Sequence, residues 1–423
     1  MKTSRSVRVV IGEKCVSVGI LHFEVDGRKQ VSSFRYADEW LERPDSFALA
    51  PLLPLNNPVS FHSGIAGNTR NALPGPIADC APDSWGRRLI AQNMGYAPNE
   101  LEALLAVNDR SRQGALRFLD ENGVLLSSSQ PAARTANLED LRNLVQKFEN
   151  NDGDLHQIAQ ALRGSGDSLG GARPKCDFED LGVLYLAKFT SFNDTMAIER
   201  METATLSLAA SVGLRASSAR LELKTSKWPV ALIERFDRAG TNRRHYVSAR
   251  TFVGNEPDDE AFYTDLVDVM RGYCGGGEAM LGELMELYRR ILFTILVSNN
   301  DDHLKNHGFL YAGDGAWKLS PAFDINPQPD RHRQLKTGIS ELSGYSASIE
   351  AAIESAPFFE LSEDAARTEA LRMAEQICGE WRHHCTNAGM SRDECAVYAP
   401  AFNHPEMQYA LGLAGKFFVL RAR

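Results

Sequence analysis

A short polar segment between two apolar stretches carries the residue types that phosphoryl transfer requires. Residues 300–306 read Asn-Asp-Asp-His-Leu-Lys-Asn and follow the apolar helical pattern of Glu278–Val297. Phosphoryl transfer needs a carboxylate that orients or deprotonates the attacking hydroxyl, together with oxygen ligands for Mg²⁺. Protein kinases separate the catalytic Asp from a metal-binding Asn by four residues, and Asp301 and Asn306 have this spacing. The spacing therefore predicts Asp301 as the catalytic residue and Asn306 as a metal ligand.

Three further side chains complete the predicted catalytic loop and metal site. Lys305 lies within the segment, where its charge could stabilise the transferring phosphoryl group. His303 is expected to orient the loop, and roles as a base or a metal ligand stay open. Asp324 follows two predicted strands, Phe309–Tyr311 and Trp317–Leu319, and is expected to be the second metal ligand. The alternative for the whole polar segment is a helix cap that covers a surface.

A glycine-rich stretch, Ser168–Lys175, precedes the predicted strand Val183–Phe189. Glycines let backbone N–H groups approach phosphates, although the Gly-Lys-Ser/Thr of a Walker A motif is missing. A flexible surface loop is the alternative, but kinases place a phosphate-covering loop at this position. The residues predicted to contact the nucleotide here are Ser168, Gly170, Gly171, Ala172, Arg173 and Lys175.

The strand after this loop carries a lysine that could hold nucleotide phosphates. A kinase uses such a lysine on the α- and β-phosphates of ATP and pairs it with a glutamate of the next helix. Lys188 lies on the strand, and the predicted helix Ile198–Val212 offers Glu199 and Glu202, of which Glu202 is preferred. A solvent-facing lysine is the alternative.

The predicted strand Pro229–Phe236 ends in Glu-Arg-Phe-Asp-Arg. The backbone of Glu234 and Phe236 is a candidate hinge for adenine, and Asp237 could bond the ribose. An exposed strand end with paired charges explains the same residues equally well.

The chain has 423 residues, which is enough for two or three domains. Predicted strands at Val7–Ile11, Val16–Phe23 and Gln30–Tyr36 indicate a small N-terminal sheet, with ordered loops over residues 44–82. A mixed α/β segment follows and the remainder is mostly helical. We therefore predict an α+β protein with an atypical bilobal protein-kinase-like fold: an N-terminal β-rich module (1–120), a kinase N-lobe with the glycine-rich loop and hinge (121–237, opening on a linker at 121–136) and a helical C-lobe with the catalytic loop (238–423).

Charge and cysteine usage narrow the function classes. The formal net charge is −9, so binding to duplex DNA without a partner is disfavoured. Seven scattered cysteines without a Cys-x-x-Cys pair indicate neither a zinc ribbon nor a disulfide framework. The sequence offers no signal-peptide pattern and no apolar run long enough to span a bilayer. A cytoplasmic protein without a membrane anchor is expected.

Together these motifs resemble the HipA-type toxin serine/threonine kinases of bacterial toxin–antitoxin systems. The resemblance spans nearly the whole chain and keeps the family's motif order. The matching motifs are Pro82-Asp83-Ser84 with Arg87 or Arg88, Ser168–Lys175, Leu232–Arg238, Asn300–Asn306 and Leu319–Ile325.

The resemblance implies roles that spacing alone does not give. Asp301 would be the catalytic aspartate, Asn306 and Asp324 the Mg²⁺ ligands, and Lys188 a ligand of the ATP phosphates. Ser168 would be an autophosphorylation site, whose modification ejects the glycine-rich loop and switches the kinase off. The added negative charge beside the ATP phosphates gives a physical reason for this inhibition.

The resemblance also implies partners. Substrates known in the family are aminoacyl-tRNA synthetases, whose phosphorylation stalls translation and slows growth. The usual partner is a small helix-turn-helix antitoxin that binds operator DNA, so contact with DNA would run mainly through it. Two other functions stay open: a small-molecule kinase of similar fold, and a non-catalytic corepressor that acts by binding its antitoxin.

Overall fold

A computed structural model describes residues 2–66, 71–127, 138–164, 173–256, 258–330 and 333–420. The β-strands in these ranges are β1 Thr3–Ile11, β2 Val16–Asp26, β3 Lys29–Tyr36, β4 Val59–Ile65, β5 Leu116–Leu119, β6 Lys175–Asp180, β7 Val183–Phe189, β8 Ala219–Glu222, β9 Val230–Glu234, β10 Arg238–Ala239, β11 Asn242–Arg243, β12 Tyr246–Ser248, β13 Gly308–Gly313 and β14 Ala316–Leu319. The α-helices are α1 Asp38–Leu41, α2 Gly75–Ala78, α3 Ser84–Met94, α4 Glu100–Ala106, α5 Leu138–Glu149, α6 Leu155–Gly164, α7 Ile198–Ser211, α8 Ala249–Val253, α9 Tyr263–Tyr273, α10 Glu278–Val297, α11 Ile349–Glu354, α12 Glu363–Asn387, α13 Arg392–Phe402 and α14 Pro405–Leu420. Short 3-10 helices occur at Leu304–Asn306 and Ala356–Phe359.

The N-terminal part is a five-stranded antiparallel sheet in the order β4-β3-β2-β1-β5. Apolar side chains alternate along β1 and β3, and their inward faces form one hydrophobic core with α4. Val9 and Phe34 are fully buried in this core. Alternation with period two explains why three of these strands could be predicted from the sequence.

The prediction of loops throughout residues 44–82 was wrong over Val59–Ile65, which is the edge strand β4, and over the short helix α2. This strand reads Val-Ser-Phe-His-Ser-Gly-Ile, with few β-branched residues. An edge strand has one partner and faces solvent along much of its length, so its composition is less constrained than that of a central strand. Phe61 is 80% exposed on it.

The middle part is a four-stranded antiparallel sheet in the order β6-β7-β9-β8. Helices α5 and α6 pack on it through a core that contains Val145, Phe148 and Phe189. Trp85 and Leu89 of α3 belong to this same core, although they lie in the first predicted segment of the chain. The N-terminal segment therefore reaches into the packing of the second sheet.

The C-terminal part is mostly helical, as predicted. Its largest core surrounds α10, whose side chains from Ile291 to Val297 are almost completely buried. Helix α10 ends at the predicted catalytic segment, and β13 begins directly after it. Strands β12, β13 and β14 form a small antiparallel sheet that fixes where the segment enters and leaves.

Two further predictions concern the linker and membrane-spanning helices. The structure describes the predicted linker at 121–136 only as far as residue 127. Within this part, Leu125 forms an isolated antiparallel bridge with Leu119. Among the described residues, none of the helices combines the length and the apolar character that crossing a bilayer demands.

Candidate active site

The predicted catalytic segment is a compact loop held by its own hydrogen bonds. Helix α10 ends at Ser298, which has left-handed backbone angles (φ 58°). The His303 N–H donates to the Asp301 carbonyl at 3.0 Å, and the Asn306 N–H donates to the His303 carbonyl at 2.8 Å. The Asn306 side-chain amide nitrogen donates to the Asp301 carbonyl at 3.1 Å. This last bond leaves the side-chain oxygen of Asn306 as the atom that could bind a cation.

The two adjacent aspartates of this loop have opposite surroundings. Asp301 is exposed, whereas Asp302 is only 4% exposed. One Asp302 oxygen, Oδ2, accepts hydrogen bonds from the Tyr263 hydroxyl, from Thr294 Oγ1 at 3.1 Å and from His307 Nε2 at 3.0 Å. Burial raises the pKa of Asp302, but the interactions with His307 outweigh it and leave the pKa lowered. Asp302 therefore anchors the loop, and Asp301 is the aspartate that is open to a substrate.

Lys188, Glu202 and Asp324 meet in one ion cluster. The Lys188 ammonium lies 2.5 Å from Glu202 Oε1 and 2.7 Å from Asp324 Oδ1. Strand β7 supplies Lys188, helix α7 supplies Glu202, and Asp324 follows β14 after residues 320–323. The sequence had offered Glu199 as an alternative partner, and the structure brings Glu202 to Lys188.

The charges of this cluster are strongly coupled. Burial alone would raise the pKa of Asp324, but the Lys188 ammonium overcomes it and lowers the pKa to about 2. Burial lowers the pKa of Lys188, yet Asp324 and Glu202 raise it above its ordinary value. Asp324 is thus a carboxylate at any physiological pH. Its side chain is 32% exposed and can still be reached from solvent.

Hydrogen bonds on both sides fix the segment that carries Asp324. Upstream, the Ala322 N–H donates to the Arg215 carbonyl at 2.6 Å. Downstream, the Asn326 N–H donates to Asn299 Oδ1 at 3.1 Å, and Asn326 Nδ2 donates to Asp324 Oδ1 at 3.2 Å. Asp324 itself has φ 57°, a left-handed conformation that is unusual for a residue other than glycine. The carboxylate is therefore held in a fixed position relative to the predicted catalytic loop.

A second lysine lies beside this cluster. Lys175 is paired with Lys188 across strands β6 and β7, and only 2% of it is exposed. Its ammonium lies 3.0 Å from Asp83 Oδ2, and its carbonyl accepts a hydrogen bond from Trp85 Nε1 at 2.9 Å. Burial lowers the pKa of Lys175, against the opposing effect of Asp83.

Arg173 also lies at the end of the glycine-rich stretch, but carboxylates hold its side chain. It forms an ion pair with Asp194 and a second one with Glu199 at 3.4 Å. Glu199 Oε2 in turn accepts a hydrogen bond from Thr190 Oγ1 at 2.6 Å. Contact between Arg173 and a nucleotide stays a prediction.

The predicted hinge begins at an exposed residue and ends at a buried residue that hydrogen bonds hold in place. Glu234 is exposed at the end of β9, and the Phe236 ring lies 5.4 Å from the Phe323 ring. Asp237, in contrast, is 1% exposed, and both of its carboxylate oxygens accept hydrogen bonds from Arg235. Its Oδ2 also accepts a bond from the Gly114 N–H at 2.7 Å. These contacts favour a structural role for Asp237 over the predicted contact with a ribose.

Lys305 is exposed on the predicted catalytic loop, and its charge acts on the half-buried Asp79. His303 lies near Asp324, and its Nδ1 is buried without a hydrogen-bond partner among the described residues.

The structure thus brings together the side chains of Lys175, Lys188, Glu202, His303 and Asp324. Ser168, Gly170, Gly171 and Ala172 lie outside the described residues. The sequence placed Asp83 in a matching motif and gave no functional role to Asn299 or Asn326. The bond between Asn299 and Asn326 and the pair of Asp83 with Lys175 join residues far apart in the sequence, so no local pattern indicated them.

Comparisons with known proteins give a consistent result. A family model described as the HipA N-terminal domain matches residues 8–119. A second, described as the HipA-like C-terminal domain, matches residues 167–386. Among solved structures, a complex of the Shewanella oneidensis MR-1 toxin–antitoxin proteins HipA and HipB with operator DNA has a similar chain. The TM-score is 0.66 at 15% identity, over 97% of both chains.

Two curated relatives match shorter segments. A protein named "Putative kinase" from Haemophilus influenzae is 28% identical over 109 residues, which are 23% of this chain and 32% of that protein. "Putative kinase Y4dM" from Sinorhizobium fredii is 33% identical over 96 residues, 22% of each protein. The chain therefore spans about a third and about a fifth of the lengths of these relatives.

Proposed function

This chain belongs to the HipA family, and from that premise we propose that it is an ATP-dependent kinase that phosphorylates serine or threonine in a protein. The observation that carries the proposal is the ion cluster of Lys188, Glu202 and Asp324. A lysine bonded to a helix glutamate and placed beside a metal-binding aspartate is the arrangement that kinases use to hold ATP phosphates. The hydrogen bond between Asn326 and Asn299 links this cluster to the loop that carries Asp301.

In the proposed reaction, Asp301 accepts or orients the proton of the substrate hydroxyl. Lys188 and Lys175 hold the phosphates, while Lys305 screens charge on the transferring group. The backbone of Glu234 and Phe236 bonds adenine. His303 orients the loop, and its charge acts on Asp324.

The donor atoms fit Mg²⁺, which prefers carboxylate and amide oxygens. Asp324 supplies a permanently ionised carboxylate, and Asn306 supplies a side-chain oxygen because its nitrogen is already bonded within the loop. When bound, the cation would neutralise charge on the ATP phosphates. Asn306 and Asp324 would hold it.

The finer assignments come from the family. We infer that the substrate is an aminoacyl-tRNA synthetase and that Ser168 is autophosphorylated as an off-switch. We also infer that a helix-turn-helix antitoxin neutralises the chain and carries it to operator DNA. The similar fold of HipA in a complex with HipB and operator DNA supports the last inference.

Replacement of Asp301 by Asn tests the catalytic assignment. The substitution keeps the size of an exposed side chain but removes its ability to accept a proton. We expect the rate at which label is transferred from γ-labelled ATP to protein to fall about 10²-fold or more. A general base commonly contributes a rate effect of this size. Binding of fluorescent ADP should change little.

Asp314→Asn is the matched control, because Asp314 is an exposed aspartate in the β13–β14 turn with a left-handed conformation that Asn tolerates. Self-labelling at the wild-type rate in Asp301→Asn would refute the assignment. Phosphopeptide mass spectrometry after induction of wild type and Asp301→Asn would identify the substrate. Nucleotide binding without any transfer would instead favour a non-catalytic corepressor.

A further inference from the structure

The N-terminal segment contributes a carboxylate directly beside the nucleotide site. The two carboxylate oxygens of Asp83 make separate contacts. Its Oδ1 accepts the Gly86 N–H at 3.1 Å and caps helix α3. Its Oδ2 lies 3.0 Å from the ammonium of Lys175. Since the Trp85 indole also donates to the Lys175 carbonyl, both backbone and side chain of this lysine are held by one turn of α3.

The charges around Lys175 require such a partner. Lys175 is buried next to a second ammonium, that of Lys188, and within electrostatic range of Asp324. Lys188 already has Glu202 and Asp324 as counter-charges. An unpaired buried ammonium is strongly unfavourable, so Lys175 without Asp83 would turn toward Asp324 or lose its proton. The first result would place a second ammonium against the proposed metal ligand, and the second would remove a positive charge from the place where phosphates are expected.

Two other contacts, at Asp79 and at Gly114, join the N-terminal segment to the C-terminal part and to the predicted hinge. Asp79 accepts hydrogen bonds from the Ser248 N–H at 2.7 Å and from Ser248 Oγ at 2.9 Å. Ser248 pairs with Gly308, the first residue of the strand after the catalytic loop. At the hinge, the Gly114 N–H bonds Asp237. The N-terminal segment thus contacts Lys175, the predicted hinge and strand β12, which pairs with the strand after the predicted catalytic loop.

We propose that Asp83 is a positioning residue that holds the Lys175 ammonium in the nucleotide site, so that the N-terminal domain completes this site. The inference rests on the proposed kinase function and assigns a task to residues 8–119, the segment matched by the HipA N-terminal domain. Asp83 does not touch the reacting atoms. It sets the position and charge of a side chain that does.

A double-mutant cycle on nucleotide affinity tests this role. Asp83→Asn removes the charge but keeps a strong N-cap residue, so the start of α3 is preserved. Lys175→Met removes the ammonium and keeps the length of the side chain. The probe is a fluorescent ADP analogue with Mg²⁺, titrated at equilibrium. We expect Asp83→Asn to weaken binding about tenfold or more in the wild-type background, as is common for outer partners of a binding site. In the Lys175→Met background its further effect should be less than about twofold, because coupled residues are not additive.

Asp154→Asn is the control. Asp154 is exposed before α6, and its Oδ1 accepts backbone N–H groups of residues 156 and 157. We expect it to bind the analogue as the wild type does. Asp83→Ser, a second charge-free variant with a good N-cap, is measured in parallel in case Asp83→Asn does not fold.

Equal losses in both backgrounds would overturn the proposal, because Asp83 would then act through the fold rather than through Lys175. No loss in either background would also overturn it. In both cases the wild type still binds the analogue and the proposed function stands. Failure of the wild-type chain to bind any nucleotide would overturn the proposed function together with this inference.

Discussion

At the scale of single residues, burial separates two aspartates that the sequence places side by side. Spacing to Asn306 favoured Asp301 as catalytic, and the surroundings of the neighbouring Asp302 supply an independent reason. Asp302 is buried and accepts three hydrogen bonds on one oxygen, so it is held by the fold and is not exposed to a substrate hydroxyl. The two side chains should therefore respond differently to the same substitution.

We predict that Asp302→Asn lowers the free energy of unfolding by about 3 kcal/mol, because one partner of a buried charged network is removed. Tyr263, Thr294 and His307 would each lose a charged acceptor. Urea unfolding followed by circular dichroism measures the change. Asp301→Asn is the comparison and should keep the wild-type midpoint, since Asp301 is exposed. Equal midpoints for the two variants would contradict this reading of Asp302.

The sequence could predict the contact of a side chain whose partner lies in the next element of the chain. It could not predict the contacts of a side chain whose partners lie far away in the sequence. The pairing of Lys188 with Glu202 follows from a strand followed by a helix, because a lysine near the end of one faces the first turns of the other. For Asp237, the local sequence likewise suggested one functional role, the contact with a ribose. Its partners include Gly114, which lies 123 residues away, and no local pattern encodes that distance.

At the scale of helices and strands, the spacing of apolar residues predicted the elements whose buried positions repeat regularly along the chain. Helix α10 and strands β7, β13 and β14 lie close to their predicted bounds because their apolar positions repeat with the period of the element. Strand β4 was missed because its one-sided pairing leaves no such repeat. Register between strands is also invisible locally, so the pairing of Lys175 with Lys188 needed the structure.

We predict that Gly308→Ala disturbs the strand that follows the catalytic loop. Gly308 packs against the ring of Tyr246 on β12, and a methyl group there would overlap that ring. Tyr246 in turn lies 5.7 Å from the Phe236 ring at the predicted hinge. Overpacking of this kind costs about 1–3 kcal/mol, and the shift should reach nucleotide affinity through Phe236. Thermal unfolding and titration with fluorescent ADP measure the two effects.

The cause of this loss can be checked by making room for the methyl group. Gly308→Ala combined with Tyr246→Leu should be less destabilised than the sum of the two single changes, since the ring that is overlapped has been removed. Gly282→Ala is the control in helix α10, where an added Cβ meets no atom within 4 Å. It should stabilise the protein by about 0.5–1 kcal/mol. Strict additivity of the first pair would show that the overlap is not the cause.

At the scale of the whole molecule, a buried ion network joins the N-terminal sheet to the four-stranded sheet. Arg235 bonds Asp177 and Asp237 within the second part, and it donates to the Ser111 carbonyl of the first. Arg243 reaches back to Asp109 at 2.9 Å. Both partners of these pairs are largely buried, so removal of one leaves a charge without compensation. The relative position of the two sheets should depend on this network.

We predict that Asp237→Asn lowers the free energy of unfolding by about 3–5 kcal/mol at neutral pH, the usual effect of breaking a buried pair. Burial by itself would raise the pKa of Asp237, but Arg235 and Arg238 outweigh it, so the folded-state pKa lies below its ordinary value. A lowered folded-state pKa means that the carboxylate stabilises the fold above the unfolded pKa of about 3.9. That contribution is lost as pH falls from there through the folded pKa.

The difference in unfolding free energy between wild type and Asp237→Asn should therefore be constant from about pH 8 to pH 5 and shrink below about pH 4. Urea midpoints at a series of pH values measure it. Asp45→Asn is the control, because the pair between Arg43 and Asp45 is exposed and should leave the midpoint nearly unchanged. A difference that grows as pH falls would mean that Asp237 is protonated in the folded chain. The Asp237 carboxyl would then be a neutral hydrogen-bond partner of the charged Arg235, and the charge of Asp237 would not be what ties the N-terminal domain to the hinge.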